Sequence, residues 1–396
     1  MTTKDKALRK YVASLGALPN APALEGTRVV VVPAFDEGPL PALLESVTNA
    51  CPDGGTRMLV VVNGGAGMGA EAREQNVQTL RWAESDARVT AIDAGDTGGV
   101  GGARRVGLDL AARAFAEGRV AGPWLYTTDA DAQLPPDYFQ HEHRSGAAMV
   151  FPFIHAPLDE AIASYELYLR HYVAGLQHAR SPYAFHTVGS TIAVRAAAYA
   201  AVRGMPRRAA AEDFYFLNKV RKVGPVLSLQ GAPIVLSSRA SRRVPFGTGP
   251  AVARLRAEGT VRALHDFRIF QTLRVLRALA HRGAPENALG PCASLIADLP
   301  HRGETARIRH RSIRDALDGK RTRQIVHRLR DQAFPDLPWR RALQATPGFA
   351  NCASLEDALE AFRTQQGVVV AGNTSALGVV SARAYLQNRG DSGDAL

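Results

Sequence analysis

The sequence predicts an α/β fold, with an open, mostly parallel sheet flanked by helices and a mainly helical C-terminal region. Across residues 28–129, short apolar runs alternate with segments whose apolar residues recur at helical spacing. This alternation is typical of βαβ units. Each run ends in a polar side chain, and parallel strands bring their carboxyl ends to one edge of a sheet. From about Ala251 onward helical spacing dominates.

The first predicted strand begins at Arg28 and continues through four valines to Pro33. A continuous β-branched run followed by Pro and Gly is typical of a parallel strand buried on both faces. Residues 40–47 then show helical spacing. We predict an N-terminal arm over residues 1–27, a main domain over 28–250 and a helical extension with a frayed tail over 251–396.

Two further strand and helix repeats follow. Residues 58–62 form a predicted strand that ends at Asn63, and the helix after it covers residues 70–84. The next predicted strand ends at Asp93, and a glycine-rich stretch then precedes a helix from Arg104. Glycines before a helix allow backbone N–H groups to approach phosphate or ribose, and Arg104 and Arg105 add positive charge there. The stretch lacks the third glycine of a dinucleotide fingerprint and follows the third strand, which disfavours a dehydrogenase.

The fourth predicted strand, residues 124–126, ends in two carboxylates, Asp129 and Asp131, one residue apart. Residues two apart on a strand point the same way, so both acids can address one spot. Hard oxygen ligands favour Mg²⁺ or Mn²⁺ at sites that leave positions open for phosphate oxygens. The alternative is that both acids are loop residues, one of them capping a helix near Leu134.

Two later segments carry groups of charged residues. Glu212 and Asp213 begin a predicted helix, where acidic residues also serve as simple caps. A loop then carries Arg239, Arg242 and Arg243 before a Gly-Thr-Gly turn. Arginine forks match phosphate oxygens, and a glycine-containing loop can close over a bound diphosphate. A solvent-facing arginine cluster is the alternative reading.

Composition narrows the class of protein. The net charge of +11 belongs to the later part, because residues 1–150 carry 14 Lys+Arg against 18 Asp+Glu. Phosphorylated substrates, nucleic acid and anionic lipid are all compatible with that excess. The three cysteines lack Cys-x-x-Cys spacing, which disfavours a disulfide frame or a thiolate zinc site. Without a long apolar run or signal-peptide pattern, we expect a cytoplasmic protein. Peripheral contact with the inner membrane surface and homo-oligomerisation stay open.

Over residues 28–250 the chain resembles family 2 glycosyltransferases of the GT-A fold. Four segments carry the resemblance: Pro33-Ala-Phe35-Asp36-Glu37, Asn63, Gly102-Ala-Arg104-Arg105-Val-Gly107 and Asp129-Ala130-Asp131. The resemblance implies a UDP- or GDP-sugar donor held across the strand ends, with a divalent cation, Mn²⁺ or Mg²⁺, on its diphosphate. The acceptor is an unidentified hydroxyl.

The resemblance also implies roles for individual residues. Asp131 is the principal metal ligand, supported by Asp129, which also lies near the ribose. Asp213, beside Glu212, is the base that deprotonates the acceptor hydroxyl, and in-line attack would invert the anomeric configuration. The residues expected to contact the donor are Pro33, Phe35, Glu37, Asn63, Asp93, Gly102, Arg104, Arg105, Asp129, Ala130, Arg239, Arg242 and Arg243. Arg105 departs from the Asn common in the family.

Three alternatives concern the site and the function. His265, or a His within 301–310, is a candidate third metal ligand, although a lone His is more often structural. A sugar-phosphate nucleotidyltransferase has a similar sheet, but it needs a glycine-rich basic loop directly after the first strand, where this chain has Pro33-Ala-Phe-Asp-Glu37. A non-catalytic binder could use the basic second part, yet no nucleic-acid module is recognisable. We therefore expect no nucleic-acid partner.

Overall fold

The computed structural model describes residues 3–19, 24–65, 67–208, 211–239, 248–281 and 319–370. By internal contacts the chain divides into two compact units. The first contains the described parts of residues 1–158, 187–250 and 360–396, and the second those of residues 159–186 and 251–359. Among the described helices, none has the length and apolarity needed to cross a membrane.

A seven-stranded sheet lies in the first unit, with the strand order β3-β2-β1-β4-β7-β5-β8 among the described residues. Only β7 runs antiparallel to its neighbours β4 and β5; the other pairings of this sheet are parallel. The remaining strands, β6 and β9, form a separate parallel pair. The strands are β1 (Arg28–Ala34), β2 (Thr56–Val62), β3 (Val89–Asp93), β4 (Trp124–Thr127), β5 (Ala148–Val150), β6 (Phe153–Ala156), β7 (Ile192–Arg195), β8 (Val226–Ser228) and β9 (Ile234–Ser237).

The predicted α/β class is confirmed: a Rossmann-like, mostly parallel sheet is flanked by helices, and helices dominate the described C-terminal region. The helices are α1 (Thr3–Ala13), α2 (Pro41–Ala50), α3 (Ala70–Glu84), α4 (Val100–Ala116), α5 (Glu160–His178), α6 (Ala196–Ala201), α7 (Glu212–Val223), α8 (Thr248–Glu258), α9 (Arg268–His281), α10 (Gly319–Gln332), α11 (Trp339–Gln344) and α12 (Leu355–Gln365).

The valine runs of β1 and β2 explain the centre of the sheet. The two strands pair in parallel, with Val30 beside Met58 and Val32 beside Val60, and all four side chains are fully buried. Strands covered on both faces need apolar side chains in both directions, which is why the sequence shows no alternation here. The carboxyl ends of these strands lie at one edge of the sheet.

Helix α4 begins at Val100, earlier than the predicted start at Arg104, so the last glycines of the predicted loop form its first turn. Close packing explains the glycines. A Cβ on Gly102 would lie 1.8 Å from the Thr97 carbonyl oxygen, and one on Gly107 would lie 2.3 Å from Val31 Cγ1. The glycines let α4 lie directly on its own entry loop and on β1.

The N-terminal helix α1 packs on α4 and α6 within the first unit. The hydroxyls of Tyr11 and Tyr199 each donate a 2.7 Å hydrogen bond to the same oxygen of buried Asp109. Arg105 lies 3.4 Å from the other oxygen of that carboxylate. Residues from three helices thus satisfy one buried charge, as a buried carboxylate requires.

The second unit is built from helices. Its main apolar cluster joins α5, α9 and α10 through Leu176, Phe270, Leu273, Ile325 and Leu329. Ser354 and Asp357 hydrogen-bond each other's backbone N–H groups and so form a capping box at the start of α12. The predicted frayed tail, residues 390–396, lies outside the described residues.

Candidate active site

Acidic residues after β1 and β4 meet at the carboxyl edge of the sheet. After β1, Asp36 takes a left-handed φ of 57°, and the following Glu37 accepts a 2.5 Å hydrogen bond from Arg239. The Arg239 Nε lies 2.9 Å from Asp131, which follows β4. One guanidinium therefore lies between two carboxylates delivered by neighbouring strands.

A second arginine, Arg104, joins the two predicted acidic motifs. Its guanidinium donates one hydrogen bond to Asp129 and another to Glu212, and the residue is only 3% exposed. The other oxygen of Asp129 accepts a 2.7 Å hydrogen bond from the Ser190 hydroxyl. The structure thus brings Asp129 of the Asp-x-Asp segment and Glu212 of the Glu-Asp pair to opposite sides of one buried cation.

Glycine 189 makes room for that cation. A Cβ at Gly189 would lie 2.4 Å from one terminal nitrogen of Arg104 and 2.7 Å from its Cζ. A Cβ at Gly101 would lie 2.9 Å from the Cβ of Glu212. Gly189 and Gly101, at the start of α4, therefore lie against Arg104 and Glu212 with no space for larger residues.

The start of α7 places Asp213 beside this pair. Ala211, immediately before the helix, has φ 56° and ψ 23°, a left-handed conformation that costs a non-glycine residue about 1–2 kcal/mol. Such strain is often found at functional sites. Asp213 is half-buried, and one of its oxygens accepts a 2.6 Å hydrogen bond from the Phe214 N–H.

Burial and like charge perturb two of these acids. Burial, and after it the charge of Glu212, raise the pKa of Asp213 to about 7, although Arg104 pulls in the other direction. Burial and neighbouring Asp129 raise the pKa of Asp131 to about 6, against the effect of Arg239. Burial disfavours the charged form of Arg104, but Asp129 and Glu212 outweigh it and raise the pKa of this guanidinium. Arg104 is therefore a permanent cation.

The remaining predicted donor residues of β1 to β4 lie at the same edge. Asn63 is buried, and its side-chain amide donates to the Ala34 carbonyl at 3.0 Å, which ties β2 to the end of β1. Asp93 is exposed and accepts a 2.9 Å hydrogen bond from the Gly95 N–H. Pro33 and Ala130 are buried, and Phe35 is half-buried. Gly102 belongs to the first turn of α4.

Of the predicted arginines, Arg105 lies apart from this group. Arg105 donates to the Met205 carbonyl at 2.7 Å and approaches Asp109, on the side of α4 that packs against α1. Arg242 and Arg243 lie outside the described residues. Donor contacts by all three stay predictions.

The candidate third metal ligand, His265, has partners of its own in the second unit. Its Nδ1 lies 2.6 Å from Asp336, and its Nε2 lies 3.3 Å from the Tyr168 hydroxyl. Both ring nitrogens are therefore engaged. The other candidates, His301 and His310, lie outside the described residues.

The carboxylates of Glu37 and Asp131 are ligands of the kind that suits a divalent cation that also binds phosphate oxygens. Within the part of the chain that the structure describes, no three His, Cys, Asp or Glu residues form a metal-binding group. Mg²⁺, however, is usually held by one or two carboxylates plus substrate phosphates and water. Asp131 and Glu37 already flank one cation, the guanidinium of Arg239. Two carboxylates placed in this way fit a cation site that a bound phosphate ligand completes.

The sequence did not predict how Arg104, Ser190 and Gly189 fit together. In the sequence, Arg104 stands out as a cation beside a glycine-rich stretch that can approach phosphate. No sequence spacing links residues 104, 129, 190 and 212, because α4, β4, β7 and α7 meet only in the folded chain.

Comparison with known proteins gives a distant likeness. No family model and no curated protein matches the chain. Among solved structures, the chain is similar to the mannosyltransferase PcManGT from Pyrobaculum calidifontis, whose structure is a complex with GDP-Man and Mn²⁺. The identity is 15% and the TM-score 0.37, with 97% of this chain and 87% of that chain covered. A likeness of this size assigns no activity.

Proposed function

We propose that this chain is a nucleotide-sugar glycosyltransferase, similar to family 2 enzymes, that moves a sugar from a nucleoside-diphosphate donor to a hydroxyl acceptor. The carrying observation is that Arg104 binds both Asp129 and Glu212. This contact places the Asp-x-Asp segment and the Glu-Asp pair, which the chain separates by more than 80 residues, in one site. A glycosyltransferase needs at least a donor-binding group and a base within one site.

In this proposal Asp213 accepts the proton of the attacking hydroxyl. A sugar hydroxyl is a poor nucleophile, and a carboxylate within reach activates it as the new bond forms. The raised pKa of Asp213 suits that task, because a base works best when its pKa is near the operating pH. The leaving nucleoside diphosphate departs from the opposite face, so the anomeric configuration inverts.

On the donor side, Asp131 would hold a divalent cation, Mn²⁺ or Mg²⁺, with Glu37 beside it. Such a cation, when bound, neutralises charge that develops on the diphosphate leaving group. Arg239 supplies fixed positive charge next to the same carboxylates. Asn63 and Asp93, at the ends of β2 and β3, are proposed to face the nucleoside.

The test is calorimetric titration of UDP, GDP, CDP and ADP, each with and without Mn²⁺ or Mg²⁺. Wild type is compared with Asp131→Ala and with Asp86→Ala. Asp86 is the matched control because it is also an arginine-paired acid, with Arg88, but it precedes β3 and so lies at the amino end of that strand. We expect one diphosphate to bind with metal, and Asp131→Ala, but not Asp86→Ala, to abolish that binding.

Binding of the matching sugar donor is then followed by a transfer assay with a panel of hydroxyl acceptors. Wild-type protein that binds none of the four diphosphates under any metal condition contradicts the proposal. Pyrophosphate release from a sugar phosphate and a nucleoside triphosphate would instead identify a nucleotidyltransferase. Binding to RNA, DNA or anionic vesicles that survives loss of both Asp131 and Asp213 would identify a basic binding module.

A further inference from the structure

Arg104 is almost completely buried in the proposed site, and its guanidinium is shared between two acids. One terminal nitrogen donates to Glu212 and the other to Asp129. Each acid neighbours a residue with a proposed chemical role. Asp129 stands two positions before Asp131, and Glu212 stands directly before Asp213.

The surroundings hold this guanidinium in one place. Ser190 binds the second oxygen of Asp129, so that carboxylate has a defined orientation. Gly189 leaves 2.4 Å between its ideal Cβ position and a terminal nitrogen of Arg104, which prevents any larger residue from sharing the space. A planar fork with two outward donors spans two carboxylates in a way that the single ammonium of lysine does not.

The charges around Arg104 explain why a cation is needed there. Three acids, Asp129, Glu212 and Asp213, interact with Arg104, and a fourth, Asp131, interacts with Asp129. Like charges at such a site drive at least one acid to take up a proton. A protonated Asp213 could not act as a base, so a permanent neighbouring cation is a condition for the proposed chemistry.

We propose that Arg104 is a positioning residue that ties the donor-side acid Asp129 to the base-side acid Glu212 and keeps Asp213 able to accept a proton. This inference rests on the proposed transferase function. Arg104 does not itself contact the reacting atoms in this account. It acts by fixing the separation of two acids and by supplying charge to a third.

The first experiment measures the titration of Asp213 directly. Protein with ¹³C-labelled aspartate carboxyls is titrated by NMR, and the Asp213 signal is assigned by its loss in Asp213→Asn. Because Arg104 lowers the pKa of Asp213, Arg104→Gln should raise that pKa by about 1–3 units. Glu212→Gln should shift it in the opposite direction, because Glu212 raises it. Where Arg104→Gln fails to fold, Arg104→Lys, which keeps the charge and loses the fork, carries the test in the second experiment.

The second experiment measures transfer as a function of pH in wild type, Arg104→Lys and Arg104→Gln. We expect kcat to fall by about tenfold to 10²-fold, as small misplacements of catalytic groups do, with the acidic limb of the profile moved to higher pH in Arg104→Gln. Arg104→Lys keeps the charge but not the fork, so its acidic limb should stay near wild type while its kcat falls.

Arg28→Lys is the matched control. Arg28 also donates two hydrogen bonds to one carboxylate, that of Glu142, at 2.9 Å each. It is the first residue of β1 and so lies at the end of that strand away from Glu37. This variant should leave the pH profile and the Asp213 titration unchanged.

The outcomes separate the two proposals. An Asp213 pKa that stays at the wild-type value in Arg104→Gln, or a kcat that stays at the wild-type value in Arg104→Lys, overturns the role of Arg104. Wild-type protein that transfers sugar from no donor overturns the transferase function instead, and the NMR titration still decides the role of Arg104.

Discussion

Gly102 offers a sharp test of the structure, because the sign of its effect on stability depends on one close approach. Gly→Ala inside a helix normally stabilises a protein by about 0.5–1 kcal/mol, since alanine loses less conformational entropy on folding. In this fold an ideal Cβ at Gly102 lies 1.8 Å from the Thr97 carbonyl oxygen and 2.7 Å from the carbonyl carbon. Ordinary contact begins at 3.4 Å, so about 1.6 Å of movement is required.

That movement cannot come from a flexible side chain. The obstructing atoms are backbone, and the turn around Thr97 is held by its hydroxyl, which donates to the Gly99 carbonyl at 2.9 Å. The Gly98 N–H donates to Asp96 at 2.9 Å. Overpacking of this kind costs about 1–3 kcal/mol. We therefore expect Gly102→Ala to lower the free energy of unfolding by about 2 kcal/mol and Tm by about 4–8 °C.

The assay is urea unfolding followed by circular dichroism, with a thermal melt of the same samples. Gly67→Ala is the control, because no atom lies within 4 Å of the ideal Cβ at Gly67, and its stability should stay within about 0.5 kcal/mol of wild type. Gly102→Ala protein as stable as wild type, or more stable, would refute the close approach of α4 to its entry loop.

Three further predictions concern the site and its support. Asp213→Asn should abolish transfer while leaving donor affinity nearly unchanged. In wild type, kcat/KM should fall about tenfold per pH unit below a pKa of about 7, because only the ionised carboxylate accepts a proton. A kcat/KM that is flat from pH 8 to 5 would contradict this assignment. Tyr199→Phe should cost about 1.5–3 kcal/mol in urea unfolding, because buried Asp109 loses one of its two tyrosine donors; unchanged stability argues against the cluster. Arg239→Gln should tighten Mn²⁺ binding by up to about fivefold, because Arg239 and the metal compete for Asp131 and an exposed ion pair is worth about 0.2–1 kcal/mol. The affinity is measured by calorimetry without nucleotide. Weaker Mn²⁺ binding in the variant would show that Arg239 does not compete with the metal.

Most of the sheet was predictable because local patterns carry it. The β-branched runs at β1 and β2 and the alternating helical segments predicted buried parallel strands, and the structure has β1, β2, β3 and β4 at those positions. The antiparallel direction of β7 and its place in the middle of the sheet were not predicted, because both depend on how the chain returns across the sheet. The early start of α4 was missed for a similar reason. Glycines lower helix propensity, and only contact with Thr97 and Val31 shows why they are needed there.

In the candidate site, too, the local features were predictable and the long-range contacts were not. Asp129, Asp131, Glu212 and Asp213 stand out in the sequence because each pair is local and follows or begins a regular element. The partners of these acids are not local, and so Arg104 was read as a phosphate contact and Arg105 as its equivalent. In the fold these adjacent arginines leave α4 in different directions, one into the acidic site and the other towards Asp109 and Met205.

The sequence by itself therefore determined the α/β class and the identity of the acids at the strand ends, because both follow from short-range patterns of apolar and polar residues. Only the tertiary structure decided which cation each acid meets: Arg104 for Asp129 and Glu212, and Arg239 for Glu37 and Asp131. The physical reason is that the partners of each ion pair are far apart in the sequence and meet only because the helices pack on the sheet. Their spacing in the sequence therefore does not predict the pairing.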